Sequence, residues 1–203
     1  MRCTQTSDLH IPYAQLICNI RKISGHLQTK SRKFSQWTRK CAPSYGYCAS
    51  QGTCYYGYKL HTVCGLCGVI RSFDLTKTGV HGINYLKGVK ADYSNCTVIG
   101  DRDYINADVQ LVLFEAAHIR LEEPCRRNQR GRKPAFPPFA KARERLGTLF
   151  SQLCVQFMLI RNYAKDTDGL FARIIGKICA LTILQYINCK NNKPIGRVKY
   201  APT

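Results

Sequence analysis

The run Cys96-Thr-Val-Ile-Gly-Asp-Arg-Asp-Tyr104 gathers potential chemistry at the end of an apolar segment. Cys96 to Ile99 is short and β-branched, the pattern of a buried strand. Gly100 ends it, and Asp101 and Asp103 follow at once. Ligands in open α/β sheets collect just beyond the carboxyl ends of strands. Asp101, in a chain of formal charge +19, is therefore a candidate to hold a metal ion against a phosphate backbone. An Asp at such a point can equally cap a loop or a helix, and the local spacing leaves both roles open.

Two other groupings could carry chemistry. Cys64-Gly-Leu-Cys67 has the spacing of half a tetrahedral zinc site, but Cys41, Cys48 and Cys54 supply no second pair at that spacing. Two thiols at a hairpin turn is the competing reading. The chain holds 12 cysteines; Cys18, Cys96, Cys154 and Cys179 sit in apolar runs, where a thiol acts as a small hydrophobe. His61 and His81 could move protons or serve as hydrogen-bonded structural groups.

The elements that must position these residues follow from periodicity. Residues 1–54 are basic and show no sustained period; a strand is expected between Leu9 and Ile20, and loop from Lys40 to Cys54. Tyr55 to Val63 alternates, Gly65 to Gly68 turns, and Val69 to Leu75 alternates back, which predicts a hairpin. Val80 to Lys90 has helical spacing. After the strand ending at Ile99, a helix is expected from Asn106 to His118, with Val109, Leu113 and Ala116/Ala117 on one face. A short strand over Ile119 to Leu121 follows. Pro137-Pro138 opens a long helix whose stripe is Phe139, Ala142, Leu146, Leu149, Phe150, Leu153 and Phe157, with Lys141, Arg143 and Arg145 opposite. A last helix, capped at Asp168, is apolar on most sides apart from Arg173 and Lys177, and reads as core. The order predicts a mixed α/β sheet flanked by helices. The division is an irregular basic segment over 1–54, a main domain over 55–190 and a basic tail over 191–203.

Length and composition set the class. At 203 residues with 45% hydrophobic residues, the chain can bury a sizeable core. Lys and Arg number 31 against 12 Asp and Glu, a balance that points to nucleic acid or another anionic surface. Met1 to Asp8 lacks the apolar core of a secretory signal. No apolar run approaches the roughly 18–20 residues that span a bilayer. Together these place the protein in a reducing cytoplasm, away from membranes.

Several motifs, in order, resemble the DDE-type transposases of small bacterial insertion sequences. They are Tyr55-Tyr-Gly-Tyr-Lys-Leu-His61, Asp74-Leu-Thr-Lys77 with Val80-His81, Ile99-Gly-Asp-Arg-Asp-Tyr104, Lys141-Ala-Arg-Glu-Arg-Leu-Gly-Thr-Leu-Phe-Ser-Gln-Leu153 and Phe157-Met-Leu-Ile-Arg-Asn-Tyr163. The resemblance runs from about Cys18 to Ala201. It implies a ribonuclease-H-like fold, a prokaryotic, nucleoid-associated location, oligomers on transposon ends, and Mg²⁺-dependent cleavage and strand transfer of DNA. Such chemistry needs carboxylates around paired Mg²⁺ ions, which stabilise the attacking and leaving oxygens together.

The resemblance implies an Asp on the first strand, an Asp after a central strand and a Glu on the following long helix. Asp101 matches the second, with Asp103 where the family usually has glycine. The first falls on Ile11, seven residues before Cys18, and Asp8 lies three residues earlier. The Glu falls at Gly147, and Glu144 sits nearly one turn before it, about 5 Å along the axis. Asp101, Glu144 and Asp8 are thus the catalytic candidates, with Asp101 the metal ligand, in a degenerate transposase truncated at its N-terminus. Lys59, Arg102, Arg126, Arg127, Arg130, Arg132, Lys133, Arg143 and Arg145 are the candidates for phosphate contacts. The competing reading is a non-enzymatic basic nucleic-acid-binding module, zinc-dependent through Cys64 and Cys67. A third is a regulatory remnant that joins an intact transposase.

Overall fold

The computed structural model describes residues 14–23, 43–48, 52–101, 104, 106–124, 136–164 and 166–201. Its hub is the 13-residue strand β3 (Thr53–Gly65), preceded by β1 (Ala14–Ile23) and β2 (Ser44–Cys48). β3 pairs antiparallel with β1, with β2 and with β4 (Ile70–Lys77). β2 and β4 follow one another along β3, through Ser44↔Gly57 and then Tyr58↔Lys77. Gly46 is required where β2 abuts the end of β4, since a Cβ there would lie 2.7 Å from Thr78 Cβ. The loop expected from Lys40 to Cys54 is therefore corrected: it contains β2. The expected first strand, Leu9 to Ile20, is present as β1 and runs on to Ile23; residues 9–13 lie outside the described residues.

Beyond β1 the sheet turns parallel. β5 (Thr97–Ile99) pairs with β1 through Ala14↔Thr97 and Leu16↔Ile99, and β6 (Arg120–Glu122) pairs with β5. The hairpin of β3 and β4 and the short strand β6 match the expectations from periodicity.

Among the described residues four α-helices cover the sheet: α1 (Ile83–Asp92), α2 (Ala107–Ala117), α3 (Phe139–Val155) and α4 (Thr167–Lys190). Strand alternation divides the core between two faces. Tyr58, Leu60, Cys64 and Ile99 join Ala142, Leu146, Leu149, Leu153, Leu170, Ile174, Ile178 and Leu181 of α3 and α4 in one cluster. Val63 and Val98 join Leu86, Val89, Leu113 and Ala117 of α1 and α2 in the other. The result is three layers, helix on sheet on helix, as a mixed α/β chain predicts.

Several details depart from expectation. The cap of α4 is Asp166, whose Oδ1 accepts from Gly169 N at 2.6 Å; Asp168 lies inside the first turn. α4 is not core on most sides: Ile175, Ile183 and Tyr186 are exposed, as is Cys179. α4 is also, by length and composition, long and apolar enough to cross a membrane, so the absence of such a run is corrected. Here its opposite face is built into the first cluster. Residues after α4 fold back onto α3 and α4. Asn188 Nδ2 donates to Pro194 O and Arg197 O, Gln152 Nε2 donates to Gly196 O at 2.7 Å, and Val198 is buried in the first cluster.

Candidate active site

Asp101 stands two residues beyond β5 and is exposed. The turn that carries it is held tightly. Gly100 N donates to Glu122 O at 2.9 Å, and Tyr104 N donates to Asp101 O at 3.0 Å. Tyr104 then runs into the interior, fully buried, and its hydroxyl meets His61 Nδ1 at 3.2 Å. His61 Nε2 meets Thr76 Oγ1 at 2.8 Å, and the imidazole stacks on Tyr85 at 4.9 Å. Two of the sequence motifs are thus joined: the Tyr of Gly-Asp-x-x-Tyr is tied to the His that ends Tyr-Tyr-Gly-Tyr-Lys-Leu-His. Both tie the Asp101 turn to β3, β4 and α1.

This clamp decides the role of His61. Burial, and secondarily the Lys59 charge, push its pKa down from 6.5 to about 4. It is neutral at pH 7, both ring nitrogens are engaged, and it has no open path to a substrate. His61 is a structural histidine. His81 is exposed at the start of α1, where its Nδ1 accepts from Ile83 N at 3.3 Å.

The described carboxylates do not gather. β1 is the parallel neighbour of β5, and its sequence Ala-Gln-Leu-Ile-Cys-Asn-Ile-Arg-Lys-Ile contains no acid. Ile11 and Asp8 precede it and lie outside the described residues. Glu144 is exposed on α3; with Ala142 and Leu146 buried two residues to either side, helical geometry turns it away from the sheet. Gly147 is exposed, and a Cβ added there meets nothing within 4 Å. Among the described residues no group of three His, Cys, Asp or Glu could hold a metal ion. The described residues therefore do not fit a paired Mg²⁺ site.

One acidic group escaped the sequence reading. Glu122 pairs with Ile99 across β5 and β6, and so lies one strand over from the Asp101 turn. Its Oε1 is 2.5 Å from Arg120 Nε. The signal was legible, since Glu122-Glu123 directly follows the Ile119–Leu121 alternation. Among the described residues the zinc reading gains no third ligand: Cys64 is buried and Cys67 exposed at the β3–β4 turn. Cys96 is buried as a small hydrophobe, and burial pushes its thiol pKa up, which keeps it unreactive.

The described basic candidates divide by environment. Arg143 is exposed. Lys59 is half-buried, and its Nζ donates to Val80 O at 3.1 Å. Arg145 is half-buried, its side chain packed over Gly68 and Gly196; both glycines leave it room, and Gly68 also needs its left-handed φ of 84°. It is not on an open face with Lys141 and Arg143. Arg102, Arg126, Arg127, Arg130, Arg132 and Lys133 lie outside the described residues.

An antiparallel meander of β1, β3 and β4, extended by β5 and β6 parallel to β1, with helices on both faces, is a ribonuclease-H-like domain. The sequence profile described as "Transposase DDE domain" matches residues 23–183. The chain belongs to the DDE transposase family. Among solved structures it is similar to the piggyBac transposase in a cryo-electron-microscopy synaptic complex with hairpin DNA, at a TM-score of 0.56 and 12% identity. The likeness covers 94% of this chain and 51% of that one, so the chain spans about half the length of that transposase. No curated protein sequence matches.

Proposed function

We propose that this chain is a degenerate insertion-sequence transposase domain that binds DNA in a prokaryotic cytoplasm but does not cut it efficiently. The observation that carries this reading is the composition of β1 beside β5. The strand that neighbours Asp101's own has no carboxylate, and α3 has Gly147 where the family resemblance places its Glu. Paired Mg²⁺ ions, where such a site is intact, stabilise the attacking and leaving oxygens of phosphoryl transfer. Asp101 alone does not supply the ligands for that, and displacement of a carboxylate by even about 1 Å costs on the order of 100-fold. The net charge of +19 supports the DNA half of the reading.

Binding supplied by Lys and Arg on phosphates needs no metal and weakens steeply with salt. Fluorescence anisotropy on labelled duplex DNA tests this. Affinity unchanged by EDTA, and lowered at least roughly 1,000-fold between 50 and 200 mM salt, is the expected result. Binding that requires Mg²⁺ or Zn²⁺, or no binding at 50 mM salt, contradicts it.

A further inference from the structure

α4 has an exposed stripe with an internal symmetry. Asp168, Ala172, Ile175, Cys179, Ile183, Tyr186 and Lys190 are all exposed. At 100° per residue they lie within about 40° of Cys179 around the helix. Their spacings are 4, 3, 4, 4, 3 and 4 residues, the same read from either end. Turned about a two-fold axis through Cys179, the stripe falls on itself. Ile175 meets Ile183, Ala172 meets Tyr186, and Asp168 meets Lys190. A two-fold interface demands this kind of self-complementarity.

We propose that α4 pairs antiparallel with α4 of a second copy of this chain, with Cys179 at the two-fold axis. Charge supports the second copy as occupant. The interior of the stripe carries no charge, and its only ions are an acid at one end and a base at the other. Antiparallel pairing alone brings them together, as two reciprocal ion pairs. Lys190 is already held toward the stripe, with Nζ 5.5 Å from the centre of the Tyr186 ring. Area supports it too. Ile175, Ile183 and Tyr186 are 46%, 59% and 60% exposed. With Ala172, Gly176 and Cys179 they offer about 500 Å² per copy, so the pair buries about 1,000 Å², the lower bound for a specific interface. The pairing depends on α4 alone and stands or falls separately from the catalytic reading.

Packed helices lie about 8–10 Å apart, which leaves facing Cα atoms at the axis close enough for a disulfide. Sedimentation of the full chain at tens of micromolar should give twice the 23.0 kDa chain mass. Diamide, which takes up two electrons and two protons as two thiols join, should give a Cys179–Cys179 peptide by mass spectrometry. Cys179→Ser should remove that peptide without dissociating the dimer. Ile183→Glu places a charge in the interface twice and should raise the dissociation constant roughly 100-fold, with the circular dichroism unchanged. A monomer contradicts the proposal, and one that floats with anionic vesicles reassigns the stripe to a membrane surface. A dimer that ignores Ile183→Glu or yields no Cys179 link places the interface elsewhere.

Discussion

His61 shows how a residue that reads as chemistry becomes architecture. Its partners Tyr104, Thr76 and Tyr85 come from three other parts of the chain, so neither its burial nor its neutral state is visible in local spacing. The folded pKa of about 4 lies below the unfolded 6.5. Between these values the unfolded chain takes up a proton that the folded chain refuses. Stability is therefore intact above pH 6.5 and falls as the pH drops toward 4, by about 3 kcal/mol for the full shift. Thermal melts of wild type and His61→Gln across pH 7 to 4 should diverge, the variant losing less on acidification. Parallel curves would remove His61 as the cause. Gly147 offers a second test at this scale. It is exposed mid-helix in open space, so Gly147→Glu should gain about 0.5–1 kcal/mol from helix propensity, seen as a Tm rise of roughly 1–4 °C. A fall in Tm would mean that the site is crowded. Asp101 was legible because a strand-ending glycine followed by acids is a local pattern. Glu122 stands visibly at the end of a strand pattern, but its nearness to the Asp101 turn comes from the pairing of β5 with β6, which local spacing does not show.

Helices and strands were legible where their period was long and clean. The stripe of α3 and the hairpin of β3 and β4 fell where alternation placed them. β2 did not, because Ser44-Tyr-Gly-Tyr-Cys48 looks like loop unless its partner on β3 is known; Tyr45 and Tyr47 are both exposed. α4 misled for the opposite reason. A helix that is apolar all round reads as buried, yet one side packs on the sheet and the other is exposed. Its start separates two neighbouring acids. Asp166→Ala removes the side-chain acceptor for Gly169 N and should cost about 1 kcal/mol. Within its own helix Asp168→Ala should lose the smaller helix-dipole contribution, about 0.3–1 kcal/mol, when both variants are unfolded at a concentration dilute enough to keep the chain monomeric. Urea unfolding midpoints of the two variants rank the caps, and the reverse order would return the cap to Asp168.

The whole molecule combines a transposase fold, a large positive charge and, among the described residues, a dispersed set of acids. The fold class was legible because motif order and element order agreed. The site was legible only in part: the sequence shows which expected positions lack acids, while strand pairing shows that β1, on one side of β5, carries none and that β6, on the other, carries Glu122. Charge and fold do not depend on a metal site, because they rest on different residues, Arg and Lys for the charge and apolar residues for the core. The measurement that bears most directly on this account is strand cleavage of DNA carrying the ends that flank the chain's own reading frame, in Mg²⁺ or Mn²⁺, by wild type and Asp101→Ala. The account predicts no metal-dependent product above background from either protein. Robust Mg²⁺-dependent cleavage by wild type that disappears in Asp101→Ala would contradict it.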